Sequence, residues 1–283
     1  MQRHQNPRCA PVEVVGDFLA SLFAEGKEYS TINSARSAIS SFLTCEGTKV
    51  GSHPLITEIL KGVQNLKPQL PRHCTTWDPA KLLEYLENMT RGKDSELLFI
   101  SKKVAVLFWL LSGQRGQTIF SLDIQYLSVV DGEVRFWIPT LLKTSKPGKH
   151  LGEIAIKGFP KKPTICLVSL LEIYLQLTKP LRGETTKLFL TTQKPFSAAT
   201  QDSITRWVRV TLTNAGIDKD FNPHSIRAAS TSAAARQAIP IDSILKNAGW
   251  ATDCMFRKYY KKPIRAQDKT SFSEAIYKTM KKK

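Results

Sequence analysis

The sequence contains no apolar run long enough to cross a bilayer. Its longest, Val104–Leu111, has eight residues, where roughly 20 are needed. It has no C-x-x-C pair, and its five cysteines (Cys9, Cys45, Cys74, Cys166 and Cys254) are scattered and odd in number. That argues against a disulfide framework and a structural zinc site, and fits a reducing compartment. Residues 1–10 are polar, so no secretory signal is expected. There is no internal repeat and no low-complexity block. Acidic residues are scarce, 24 Asp+Glu against 41 Lys+Arg, which leaves a formal net charge of +17. What is present is 42% hydrophobic residues in 283, enough for a buried core and for two domains or one large one.

The charge excess points to a polyanionic partner, of which nucleic acid is the commonest. A solvated surface kept soluble by charge is the plainer alternative. Distribution separates them in part. Residues 1–72 carry a net +2 and residues 73–283 a net +15, with Cys254–Lys283 alone at +8. The excess belongs to the later two thirds of the chain.

Periodicity predicts three helices in the first segment. Val14, Val15, Phe18, Leu19, Leu22 and Phe23 form a helical stripe over Pro11–Glu25. Ser30 or Thr31 is a candidate cap for a second helix through Leu43, with a small face of Ala35, Ala38, Ile39 and Phe42. A third runs over about Pro54–Leu66. Pro68–Cys74, with two prolines and no period, reads as a linker, giving domains 1–72 and 73–283. Beyond it, helices are expected at Pro79–Met89 and at Glu96–Ser112, the latter stopped by Gly113. Asp131-Gly132, between Tyr126–Val130 and Glu133–Ile138, is a hairpin signal. A Lys-rich loop, Lys143–Lys149, and a strand at Glu153–Ile156 follow. Helices are then expected at Cys166–Thr178, Ala198–Ala215, Ser225–Gln237, Ile241–Asn247 and near Ser271–Lys281. The fold class is mainly α with a small antiparallel β-sheet.

Four local features could carry chemistry. Arg115 follows an apolar helix in Ser112-Gly113-Gln114-Arg115-Gly116, where a lone arginine is usually a helix-end cation. His224 and Arg227 sit three apart at a helix start, sharing a face near backbone N–H groups that favour anions; the plain reading is a capping histidine beside an unrelated arginine. Ala248-Gly249-Trp250 precedes Phe256-Arg257-Lys258-Tyr259-Tyr260, and tyrosine pairs are usually packing residues. Lys143, Lys146 and Lys149 follow the hairpin as a charge run.

Taken in order, the arginine, hairpin lysine, H-x-x-R, G-W and tyrosine resemble the tyrosine recombinase (phage-integrase-like) superfamily. The resemblance spans most of the chain. It implies a helical core-binding (SAM-like) domain at 1–72 and an α+β catalytic domain at 73–283 with a basic tail. Arg115 matches the first-box arginine, His224 and Arg227 the second box, Trp250 the His-or-Trp position, and Lys143 the hairpin lysine, with Lys146 a weaker candidate. Ser30–Ile39, Ser112–Arg115, Leu141–Gly148 and Ala248–Trp250 are most similar in wording to recombinases of eukaryotic DIRS-type and Ngaro-type retrotransposons. Two features depart from the pattern. Thr118 stands where many prokaryotic members carry an acidic residue. The nucleophile is either Tyr259, by the prokaryotic spacing, or Tyr260, by the retroelement pattern; the reading leans to Tyr260.

The resemblance implies a recombinase or integrase that joins DNA through a 3′-phosphotyrosyl intermediate, without metal, cofactor or ATP. Bidentate cations suit the charge that builds on a phosphate, so Arg115 and Arg227 would hold it. Lys143 would protonate the leaving oxygen and His224 would assist proton transfer. Trp250, a donor only, would hydrogen-bond the phosphate and pack. The expected partner is double-stranded DNA, bound as a homotetramer, with no membrane association and a nuclear, intracellular location. The alternatives are a catalytically inactive, domesticated DNA-binding protein of the same fold, a type IB topoisomerase, and a basic RNA-binding protein. The first helices are short for a core-binding domain, so upstream residues are expected to be missing.

Overall fold

The computed structural model describes residues 10–45, 47–68, 74–142, 145, 148 and 153–264. The chain divides into two compact units, Met1–Arg72 and His73–Lys283. None of its described helices is long and apolar enough to cross a membrane.

The first unit is built from α1 (Val12–Ala24), α2 (Tyr29–Ser40) and α3 (Pro54–Leu66), with a two-residue hairpin, β1 (Thr44–Cys45) and β2 (Thr48–Lys49), between α2 and α3. Val15 and Leu19 of α1, Ile32 of α2 and Ile56, Leu60 and Val63 of α3 make its core. A Cβ on Gly16 would come within 2.9 Å of Ile59 Cδ1, so glycine lets α1 approach α3 closely. α3 has Pro54 at its first position and His53 Nδ1 accepting from Leu55 N at 3.3 Å.

Two expectations for this unit fail. α2 begins at Tyr29, behind Glu28, so Ser30 and Thr31 lie inside it and do not cap it. The hydroxyls of Ser34 and Ser37 instead donate back to the carbonyls of Ser30 and Asn33, each at 2.8 Å, a local bond that competes with capping. α2 also ends at Ser40, not Leu43. Phe42 therefore leaves the helical face and is 62% exposed, while Leu43 turns into the core.

The second unit is mainly helical and is organised around α5 (Glu96–Ser112), which is buried on most of its circumference. An all-round apolar helix must sit inside other elements. Ser95 caps it, its Oγ accepting from Leu98 N at 3.2 Å, and Gly113 ends it in the left-handed conformation. Around it lie α4 (Pro79–Asn88), α6 (Gly116–Phe120), α7 (Leu167–Thr178), α8 (Gln201–Asn214), α9 (Ser225–Arg236) and α10 (Ile241–Ala248). Helix α8 starts three residues later than expected because Thr200 caps it and Ala198 instead bridges Leu190.

Strands β3 (Leu127–Val130), β4 (Glu133–Trp137) and β5 (Glu153–Lys157) form an antiparallel sheet in that order. Asp131 and Gly132 both have positive φ, which the tight β3–β4 turn requires. Alternation sends Val134 and Phe136 of β4 and Ile154 and Ile156 of β5 inward, and Phe136 meets Phe108 of α5 edge-on at 5.3 Å. A short helical turn, α11 (Asp253–Met255), runs on as a π-helix, Phe256–Tyr260. Past it, Pro263 O accepts from Thr76 N at 2.9 Å, and Ile264 forms a parallel bridge with Thr76. The expected helix near Ser271–Lys281 lies outside the described residues.

Candidate active site

Where α5 stops, the left-handed Gly113 turns the chain, and its carbonyl accepts Arg227 Nη1 at 2.7 Å. Arg115, two residues on, is half-buried at the start of α6. Gly116 must be small: a Cβ there would lie 3.0 Å from ring carbons of both Trp109 and Phe120. The arginine is thus presented by a turn wedged against two aromatic rings.

His224 and Arg227 open α9. The imidazole makes no side-chain cap, so it is free for other partners. Arg227 is 0% exposed. Its guanidinium lies 4.0 Å from the Trp250 ring centroid and 5.3 Å from that of Tyr260, a cation beside two aromatics. Burial, and then the Arg115 charge, pull its pKa down to about 10, with the Tyr260 side chain acting in the other direction. The guanidinium therefore stays a cation at neutral pH. Its Nε and Nη2 are buried and meet no hydrogen-bond partner among the described residues. A buried cation with two unused donors is costly on its own and suited to an incoming anion.

Trp250 follows Gly249, the left-handed residue that ends α10. Its indole Nε1 is likewise buried without a partner. Trp250 packs against Tyr260 with the rings tilted and their centroids 4.7 Å apart. The Tyr260 hydroxyl lies 3.4 Å from His224 Nε2. His224 is exposed as a residue, yet partial burial of its ring, followed by the charges of Arg227 and Arg115, holds its pKa below the usual range. The backbone of Tyr260 is pinned: Ser232 Oγ donates to its carbonyl at 2.6 Å and accepts from Lys262 N at 3.0 Å.

The fold thus gathers His224, Arg227, Trp250 and Tyr260 into direct contact, with Arg115 close enough for its charge to act on two of them. Tyr259 stands apart. It is 48% exposed, with Lys258 Nζ 5.3 Å from its ring. Lys143 and Lys146 lie outside the described residues. Among the described residues, no group of three His, Cys, Asp or Glu side chains could hold a metal ion.

Sequence reasoning passed over two residues at this site. Ser232 clamps Tyr260, and its one signal was a position on the same face of α9 as Ser225, whose Oγ accepts from Trp77 Nε1 at 2.9 Å. Gln114, quoted only as part of the Arg115 motif, is buried beside it.

Three solved structures share this architecture. The Tn1549 transposon integrase in complex with transposon right-end DNA is 14% identical, with a TM-score of 0.63 over 96% of this chain and 85% of that one. The XerH site-specific recombinase in a post-cleavage complex with palindromic difH is 18% identical, TM-score 0.61, over 88% of this chain and 68% of that one. The lambda integrase tetramer on a Holliday junction is 16% identical, TM-score 0.55, over 93% and 68% respectively. At such identities the likeness is one of fold. No curated protein sequence matches the chain. Residues 79–264 match the Phage integrase family. That span holds most of the second unit and every residue weighed for catalysis, and the chain belongs to the phage integrase family.

Proposed function

We propose that this protein is a site-specific DNA recombinase that cleaves and rejoins duplex DNA through a 3′-phosphotyrosyl link to Tyr260. The observation that carries the reading is the contact set of Tyr260. Its hydroxyl is 3.4 Å from His224 Nε2, and its ring lies over Arg227, whose two remaining donors are buried and unpaired.

In the reaction, the Tyr260 oxygen forms a bond to phosphorus while the bond from phosphorus to the 5′-oxygen breaks. His224, kept neutral by burial and by adjacent arginines, accepts the phenolic proton. Arg115 and Arg227 hold the phosphate oxygens as charge builds on them, and Trp250 donates from its indole N–H. Lys143 delivers the proton to the departing 5′-oxygen, a role resting on its match to the family's hairpin lysine. The covalent link retains the phosphodiester's energy, so a second 5′-hydroxyl can reverse the step without ATP.

The first unit serves as a core-binding domain, and the net +15 beyond residue 72 tracks the DNA backbone with salt-sensitive affinity. Exchange between two duplexes needs four cleavages, which favours a tetramer on DNA, the arrangement named for the lambda integrase complex. The phrases shared with DIRS-type and Ngaro-type recombinases favour a mobile-element role, integration or excision, in a nuclear setting. Tyr259 has no comparable contacts to recommend it.

A nicked duplex that traps the covalent adduct tests the reading. Wild type and Tyr259→Phe are expected to form the adduct and Tyr260→Phe to lose it, with the phosphotyrosine mapped by mass spectrometry. An adduct retained by Tyr260→Phe and lost by Tyr259→Phe would reverse the assignment. No adduct from wild type would leave a DNA-binding protein of this fold. Relaxed plasmid without strand exchange would instead indicate a topoisomerase.

A further inference from the structure

We propose that Gln114 is a positioning residue whose buried side-chain amide ties the Arg115 turn to the end of α10 and so fixes the position of Arg115 relative to Trp250. The inference rests on the recombinase reading above. Gln114 is 3% exposed. Its Nε2 donates to the backbone carbonyl of Asn247, and its Oε1 accepts from Thr118 Oγ1 at 3.4 Å. Asn247 lies in the last turn of α10, three residues before Trp250.

Carbonyls in the last turn of a helix lack intrahelical donors and need partners from elsewhere. At the end of α10, Leu245 O accepts from Trp250 N at 2.9 Å and Lys246 O from Gly249 N at 3.1 Å. Gln114 supplies the donor for the next carbonyl. Its neighbour Gly113 accepts Arg227 Nη1. Residues 113–115 are therefore a junction that engages α9 through one residue, α10 through the second, and offers the third, Arg115, to the site.

Thr118 has a defined part in this arrangement. An amide has a donor end and an acceptor end, and its neighbours decide which way it faces. The Asn247 carbonyl only accepts, so Nε2 faces it and Oε1 is left to accept from the Thr118 hydroxyl. A carboxylate at position 118 only accepts. It would draw the NH2 end to itself and leave Oε1 against the Asn247 carbonyl, two acceptors in contact. Thr118 and Gln114 thus work as a matched pair.

The test uses the full chain. Gln114→Met keeps the volume and removes both polar ends. Single-turnover cleavage of the nicked duplex at saturating protein is expected to fall about tenfold, the effect of one lost hydrogen bond, with affinity for the same duplex unchanged within about twofold. Thr118→Val should show a smaller loss, and the double variant should be no worse than Gln114→Met, because the two side chains act as one unit. Thr118→Glu should also lower cleavage; equal or higher cleavage would show that Thr118 marks only a lost acid and would overturn the pairing. Cleavage by Gln114→Met within twofold of wild type would overturn the proposal.

A second readout does not depend on catalysis. Amide exchange at Gly249 and Trp250 in the free protein should quicken about tenfold in Gln114→Met, while the amides of β4 stay protected. Unchanged exchange, or equal quickening in β4, would overturn the positioning role. If wild type forms no adduct, the recombinase reading fails, and the Gln114 tie is judged by exchange alone. Should Gln114→Met not fold, Thr118→Val carries the same two measurements.

Discussion

Helix α5 and the Trp250 cluster belong to one unit and are held in opposite ways. α5 is surrounded by the sheet and by α7, α8 and α9, inside a core that runs from Trp77 to Ala229. The cluster has four buried residues, Ile244, Ala248, Trp250 and Phe256, with Tyr260 packed against them from a single π-helical turn. Arg115 and the carbonyl that grips Arg227 hang from the end of α5, whereas Trp250 and Tyr260 belong to the cluster. The carbonyl that grips Arg227 is thus anchored to the larger core, and Tyr260 to a smaller cluster whose hold on it is completed by Ser232. Local stability follows buried contacts, so elements that must move are drawn from the thin side.

Substitutions can break this contrast, and the largest effect is expected on the fixed side. Arg227→Lys keeps the charge but loses the planar fork that reaches Gly113 O while facing a phosphate. Cleavage should fall about 100- to 1,000-fold, with duplex affinity little changed; single-turnover kinetics and a binding isotherm check both. Next come two core deletions compared by urea denaturation. Leu107→Ala, inside α5, should cost about 2–5 kcal/mol. Phe256→Ala removes a larger side chain, equally buried, yet should cost the whole unit less, because its small cluster can collapse around the gap. A greater loss for Phe256→Ala would show the two regions to be one cooperative core.

The smallest effect is a pH dependence. The folded state lowers the His224 pKa, first by burial and then through Arg227 and Arg115. As pH falls below about 6.5, the unfolded chain takes up the proton first. The site's contribution to stability is therefore full above about pH 6.5 and declines toward the lowered value. Stability measured against pH should show this decline in wild type, and His224→Asn should lack that component.

The elements legible in the sequence are those with chemical end signals. α3 and α5 fall on their expected residues because Pro54 and Gly113 each dictate a backbone angle. α2 misled because serine inside a helix can bond to the preceding turn as readily as cap it. The β1–β2 hairpin, with two residues in each strand, is too short to show a period. At the site, the resemblance to the recombinase family pointed to His224, Arg227, Trp250 and a tyrosine, but adjacent tyrosines differ only in direction. Which one faces His224 is decided by the π-helical turn and by Ser232, 28 residues upstream of Tyr260. Gln114 was invisible for a related reason: its meaning lies in the carbonyl of Asn247, a backbone atom carrying no trace of side-chain identity.

The parallel bridge between Thr76 and Ile264 has a mechanical consequence. It nails the chain four residues beyond Tyr260 to the opening segment of the same unit. Successive Cα atoms are about 3.8 Å apart, so the leash allows Tyr260 a radius of at most about 15 Å from that anchor. While the bridge holds, the tyrosine can swing over its own Arg227 and its own His224. A leash of that length keeps Tyr260 beside the His224 and Arg227 of its own chain.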